Sequence, residues 1–300
     1  MTTGERMKKH ELLSIVKETG KDWSDDNASR LAAALAYFSL LSLAPLIVIS
    51  IAVAGFFFGD DAARGRVAGE LGAIVSGPAA EGINSVVENA RAPAAGVIGT
   101  IVGVVTLFIG ASGVFGELKG SLNAIWEVAP KPGRGILGEI KARFVSFTMV
   151  LGVAFLLLVS LVLSSVLSVT GELFAGALPG GEALWQGVNF CLSLAVITSL
   201  FALIFKFVPD AKVEWRDVWL GAFVTALLFS IGKLALGLYL GKSAVGSAYG
   251  AAGSVIALVV WVYYAAQILL LGAEFTQVQA RHRGRAIEPE GDAVSVTGSA

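Results

Sequence analysis

Lys233 places a cation inside Val218–Leu240, a run that holds no other charged residue. An ammonium group at such a position in a membrane helix costs about 3 kcal/mol or more unless it is paired, reaches the headgroups or faces a watery cavity. Two chemistries follow. The side chain can snorkel along its own methylenes to the surface, or it can present positive charge to an anionic group inside a cavity. Helical rise sets Lys233 about 10 Å below Leu240. Thr100, Ser164, Ser165, Asn189 and Ser193 reach similar depth on other apolar runs, and these can solvate a cation without neutralising it. Lys233, Asn189, Thr100, Ser164 and Gln267 therefore form a candidate cavity, with an anionic lipid or small anion as its ligand.

A second group of polar residues sits at helix ends. Glu117, Asn123, Glu274 and Arg143 can be drawn together as an inner gate, with Lys206 or Arg216 as further partners. The competing reading is ordinary pairing at the interface that fixes helix depth. Pro45 interrupts an apolar helix, and the carbonyl it frees predicts a kink, either a hinge or a static bend. Ser39 and Ser42 stand close enough in sequence to satisfy part of that backbone.

Other chemistries find no residues. Phosphodiester cleavage uses carboxylates or histidines clustered round a metal, or a histidine acid/base pair. This chain has only His10 and His282, both in terminal segments. The lone Cys191 leaves no disulfide within a chain and no cysteine metal site. No catalytic residue, metal ligand or cofactor motif is assigned. Acids inside the apolar runs occur only at their ends, which argues against a carboxylate proton relay.

The elements that must carry these residues are membrane helices. The chain is 55% hydrophobic and 15% charged with a mean hydropathy of +0.76, which excludes an ordinary soluble domain. About 20 apolar residues cross a hydrocarbon core in helical form, and backbone groups in lipid must bond within their own segment. The predicted fold is all-α: a cytoplasmic N-terminal segment over 1–30, a six-helix membrane domain over 31–276, and a disordered cytoplasmic tail over 277–300. The spans are placed at 31–58, 94–116, 144–170, 183–206, 217–240 and 250–274.

Lys and Arg divide strongly between the alternate connecting segments, with 17 on the side of the termini and 4 on the other. Both termini are thereby assigned to the cytoplasm. Trp23, Trp126, Trp185, Trp215 and Trp219 fall near span ends, as an aromatic belt requires. Lys8–Val16 reads as a short helix lying on the cytoplasmic surface or packed against the protein. Ser24, Asp25, Asp26 and Asn27 are expected to cap the first span. Apolar residues on either side of Pro78 repeat at helical spacing, predicting two short amphipathic helices on the outer face. Gly99 and Gly103, Gly237 and Gly241, and Gly246 and Gly250 are spaced for close helix packing, and self-association is left open.

Three blocks resemble the YihY/BrkB family of bacterial inner-membrane proteins. They are Tyr37 to Pro45, Phe115-Gly116-Glu117-Leu118 running on to Leu122-Asn123-Ala124-Ile125-Trp126, and a longer C-terminal block. That block joins Phe207-Val208-Pro209-Asp210 and Val213-Glu214-Trp215-Arg216-Asp217 to Gly221, Lys233, Tyr239, Tyr249-Gly250 and Leu271-Gly272-Ala273-Glu274. The likeness covers roughly residues 25–278. It implies a bacterial inner-membrane protein, and family members carry labels ranging from ribonuclease BN to virulence factor to transporter. The residues favour a non-enzymatic transporter or lipid- or anion-handling protein with membrane lipids as partners. A non-transporting envelope-integrity scaffold is the alternative, and tRNA processing of the ribonuclease BN kind is a distant third. Nucleic acid is not expected as a partner.

Overall fold

In this computed structural model the described residues are 3–74, 78–89, 113–131, 181–242, 253–285, 287–291 and 293–296. They are overwhelmingly helical. The helices are α1 (Thr3–Asp25), α2 (Ala28–Phe58), α3 (Asp60–Ile74), α4 (Pro78–Asn89), α5 (residues 113–125), α6 (Gly181–Phe207), α7 (Trp215–Lys242) and α8 (Gly253–His282). Four very short strands join them: β1 (Val128–Pro130), β2 (Ala211–Lys212), β3 (Glu288–Pro289) and β4 (Ala293–Ser295). Windows in α6, α7 and α8 are each long and apolar enough to cross a membrane. The expected span at 144–170 lies outside the described residues, as does 94–116 up to residue 112. The Pro45 side chain also lies outside them, while α2 is a single helix through that position.

α8 is the central helix, packed against α7, α2, α4 and α1. Its contact with α7 is built by reciprocal glycine and threonine. A Cβ at Gly221 would overlap the Thr276 hydroxyl, and a Cβ at Gly272 would overlap that of Thr225. Each threonine hydroxyl is absorbed by its own helix, Thr225 donating to Gly221 O and Thr276 to Gly272 O, both at 2.7 Å. Further along, Gly232 lies under the Tyr264 ring. Small residues thus let two backbones approach, as membrane helices require, but at positions other than the expected glycine pairs. Of those pairs, Gly99 and Gly103 and Gly246 and Gly250 lie outside the described residues, while Gly237 and Gly241 lie near the end of α7.

Two apolar clusters meet at the partly buried Trp261. One joins the start of α2 to α5, α6, α7 and α8, with Trp126, Phe201, Phe205 and Phe229 in edge or stacked contact at centroid distances of 5.9–6.3 Å. The other joins the rest of α2 to α3, α4 and the start of α8 through Ile47, Ile51, Val67, Ile83 and Leu258. The two short helices expected round Pro78 are α3 and α4, at the end of the bundle remote from the termini; α4 is amphipathic as expected, whereas the polar and apolar residues of α3 are not segregated on opposite faces.

Three expectations are corrected. Residues 24–27 do not cap α2 through side chains. Asn27 takes φ 53° with no side-chain cap, because α1 runs as far as Asp25 and the turn is made by the backbone. Trp126 is not a belt residue: it is 2% exposed and its Nε1 donates to Ala273 O at 3.2 Å. A buried indole needs such an acceptor. The tail expected to be disordered is ordered over 277–285, 287–291 and 293–296. α8 continues to His282, β3 pairs antiparallel with β2, and β4 pairs antiparallel with β1. Composition counts side chains, and this strap is held largely by backbone groups that composition does not register.

Candidate functional site

Tyr263, Gln267 and Glu274 stand at i, i+4 and i+11 on α8, a spacing that aligns them on one helix face. That face meets the beginning of α2. Gln267 Nε2 donates to Ser29 Oγ at 2.9 Å, and the Ser29 and Tyr263 hydroxyls lie 3.0 Å apart. The Gln267 amide oxygen is buried and has no hydrogen-bond partner among the described residues. One helical turn before Ser29 is Asp26, whose carboxyl meets that of Glu274 at hydrogen-bonding range. A polar seam therefore runs between α2 and α8, from an acid pair at the terminus end to a tyrosine about 16 Å further along α8 by helical rise.

Glu274 is fully buried, and among the described residues no N–H or O–H donor reaches either of its carboxyl oxygens. Its polar neighbour is another acid. Two carboxyls in hydrogen-bonding contact can form a favourable bond only when one carries a proton. Burial pushes the Asp26 carboxyl above the ordinary carboxylate range; the bond from Glu274 works the other way, and the charges of Glu127, Asp22 and Asp25 add to the rise.

A clasp of hydrogen bonds and ion pairs lies at the same end of the bundle. Lys119 Nζ contacts Asp210 Oδ1 at 2.8 Å, Asn123 Nδ2 donates to Asp210 Oδ2 at 3.2 Å, and Asp210 N donates back to Asn123 Oδ1 at 2.8 Å. Asp210 is also the anchor of the tail strap, accepting Glu290 N on its carbonyl at 2.8 Å. Asp217, whose side chain is wholly buried, receives Arg283 at 2.7 Å and Arg285 at 3.2 Å, and Arg285 also pairs with Glu214. Arg281 holds Asp22 at 3.1 Å and His282 meets Glu18 at 2.8 Å, tying α1 to the last turn of α8. A buried carboxylate such as Asp217 is tolerable only with partners of this kind.

The inner-gate residues separate between these groups. Asn123 goes to Asp210 and Glu274 to Asp26, while Glu117 is half-buried and joins neither pair; Arg143 lies outside the described residues. Lys206 donates to Val213 O at 2.7 Å and lies 5.7 Å from the Trp215 ring centroid, and Arg216 is exposed. Of the cavity residues, Thr100, Ser164 and the Asn189 side chain lie outside the described residues. Lys233 is half-buried. The contacts Gly221 to Thr276, Thr225 to Gly272 and Gly232 to Tyr264 fix the antiparallel register, which sets Lys233 level with Tyr264 and about one turn further from the terminus end than Gln267.

Ser29 and the Asp217 clasp are not legible in the sequence, and Asp26 is expected there only as a helix cap, since nothing in a single chain reveals which residues of α1 and α2 face α8. The i, i+4, i+11 alignment on α8 was available as a signal. Among the described residues, no three His, Cys, Asp or Glu side chains are grouped to hold a metal ion.

Apolar spanning-length helices enclosing a buried polar seam define a helical integral membrane protein. The profile of the family described as "Virulence factor BrkB" matches residues 19–296. The chain is 27% identical over 289 residues to a UPF0761 membrane protein of Rhodospirillum centenum, covering 93% of this chain and 61% of that one. It is 30% identical over 267 residues to one of Photobacterium profundum (84% and 76%), and 29% identical over 258 residues to one of Pseudoalteromonas atlantica (82% and 79%). The chain spans about three-fifths of the length of the Rhodospirillum centenum protein. No solved structure matches it. The chain belongs to the BrkB (YihY) family of bacterial membrane proteins.

Proposed function

We propose that this protein is a non-enzymatic transporter of the bacterial inner membrane, handling an anionic lipid or small anion, with both termini in the cytoplasm. The observation that carries this reading is the seam between α2 and α8, where the buried amide oxygen of Gln267 has no partner among the described residues and lies beside two hydroxyls. Polar groups cost free energy in an apolar bundle and mark pathways more often than they serve packing. Lys233, level with Tyr264, supplies a positive charge above that seam to attract a phosphate or carboxylate. The orientation rests on the bias of Lys and Arg toward the segments that share a side with the termini.

The test is transbilayer movement of a fluorescent phosphatidylglycerol in vesicles containing the full chain, read by quenching of the outer leaflet. Movement faster than in protein-free vesicles, and slowed in Lys233→Met and Gln267→Leu, is expected. Movement no faster than in protein-free vesicles would sink the lipid form of the proposal. A second reading, an envelope-integrity scaffold, draws on the aromatic ladder of Phe201, Phe205, Phe229 and Trp261, which fills the space between α6, α7 and α8. It predicts no movement of lipid and an envelope defect in the deletion strain that Lys233→Met fully rescues.

A further inference from the structure

We propose that Asp26 and Glu274 form a proton-binding latch, in which one shared proton holds the α1–α2 junction against α8. The inference concerns what this pair binds and does not depend on what the protein moves.

Geometry carries it. The Glu274 side chain is sealed from solvent and, among the described residues, receives no hydrogen from any donor. An ionised carboxylate there would be a buried charge without compensation, a state worth several kcal/mol of penalty. Among the described residues, the polar side chain that meets it at hydrogen-bonding range is Asp26, an acceptor itself when ionised. A proton on Glu274, the more deeply buried of the two, removes both problems: Glu274 Oε–H donates to an Asp26 carboxylate oxygen, and one negative charge remains on the side nearer solvent.

The groups facing the pair reinforce this arrangement. Asp22 and Asp25 approach from α1 and Glu127 from the turn between α5 and β1, all negative. Arg281 on α8 is the cation that faces Glu274, and it is already engaged by Asp22. Loss of the proton would set two carboxylates against each other among three further acids.

The mechanical consequence lies at the junction. Asn27 turns the chain between α1 and α2 in the left-handed region, and Ser29, one turn beyond Asp26, is the acceptor for Gln267. Repulsion between Asp26 and Glu274 would therefore be felt directly by the Ser29, Gln267 and Tyr263 contacts. Proton occupancy at one end of the seam sets whether its polar groups stay closed.

The experiment is infrared titration of the full chain in lipid, in water and in deuterium oxide. A protonated-carboxyl C=O band should persist at neutral pH, disappear in Glu274→Gln and shift in Asp26→Asn. Absence of that band in the unmutated protein at neutral pH overturns the proposal, as does a band that neither variant changes. A band lost in Glu274→Gln but unmoved in Asp26→Asn also overturns it, since the proton would then not be shared.

Amide exchange over residues 22–30, corrected for intrinsic rates, gives a second readout that needs no variant to fold. Docking of the junction should weaken by about tenfold per pH unit between the ordinary carboxylate range and the raised titration of the docked pair, and level off above it. Glu274→Gln, whose amide can donate to Asp26 permanently, should abolish that dependence. A pH-independent exchange rate in the unmutated protein would overturn the latch.

Discussion

The two ends of the bundle are held by different physics. At the terminus end, Asp217, Asp210, Asn123, Asp26 and Glu274 are buried or half-buried polar groups locked into ion pairs, hydrogen bonds and two strand pairings. At the opposite end, α3 and α4 cover α2 and the start of α8 chiefly through Ile47, Ile51, Ala63, Val67, Ala79, Ile83 and Val87. Gly82 there sits so near Ser254 that an added Cβ would come within 2.9 Å of its carbonyl oxygen. Apolar packing is non-directional and tolerant of small slides, whereas a buried carboxylate accepts few positions. The polar end is therefore the one built to take discrete arrangements, and the apolar end to hold the bundle together.

Breaking the clasp should have the largest effect. Replacing both Arg283 and Arg285 with Ala leaves the wholly buried Asp217 side chain without its cations. A loss of about 4 kcal/mol follows, read as a lowered thermal midpoint in detergent that Asp217→Asn partly restores. At the apolar end, Ile83→Ala should cost about 3 kcal/mol. Its cost should be insensitive to ionic strength, and a marked salt dependence would show that the two ends are not distinct in kind.

The α7–α8 contact lies between these extremes. Gly221→Val drives a branched side chain into Thr276, and overpacking of this sort costs about 2 kcal/mol. Gly221→Val combined with Thr276→Ala should recover much of that loss, and a double variant no better than the single one would refute the reciprocal packing.

The smallest effect is a pH slope. The Asp26 carboxyl is raised in the folded state, so its contribution favours folding at pH below the ordinary aspartate titration. That contribution is lost as pH rises from there through the raised value, because the folded state binds more protons than the unfolded state over that window. Asp26→Asn should flatten the slope, measured as thermal midpoint against pH. Ile83→Ala should leave it unchanged, which keeps the effect assigned to the polar end.

Legibility in the sequence followed the range of the interactions. Spans at 183–206, 217–240 and 250–274 correspond to α6, α7 and α8, and Pro78 correctly divides α3 from α4, because apolar runs and breakers act locally. Gln267, Asn123 and Glu274 stood out as polar residues in or beside apolar runs. Their partners Ser29, Asp210 and Asp26 did not, since each pairing joins segments more than 80 residues apart. The tail escaped for a related reason: β3 and β4 depend on acceptors and donors in two distant loops.

The amino-acid sequence by itself determined that this is a helical membrane protein of the BrkB family and which residues are out of place in its apolar helices. Hydropathy, helical rise and backbone satisfaction in lipid are properties of each segment alone. The tertiary structure decided that Glu274 meets an acid, that Trp126 is core rather than belt, and that the tail is a strap. Those outcomes depend on which faces of distant helices are brought together, and a buried charge reveals its chemistry only through the neighbour it is given.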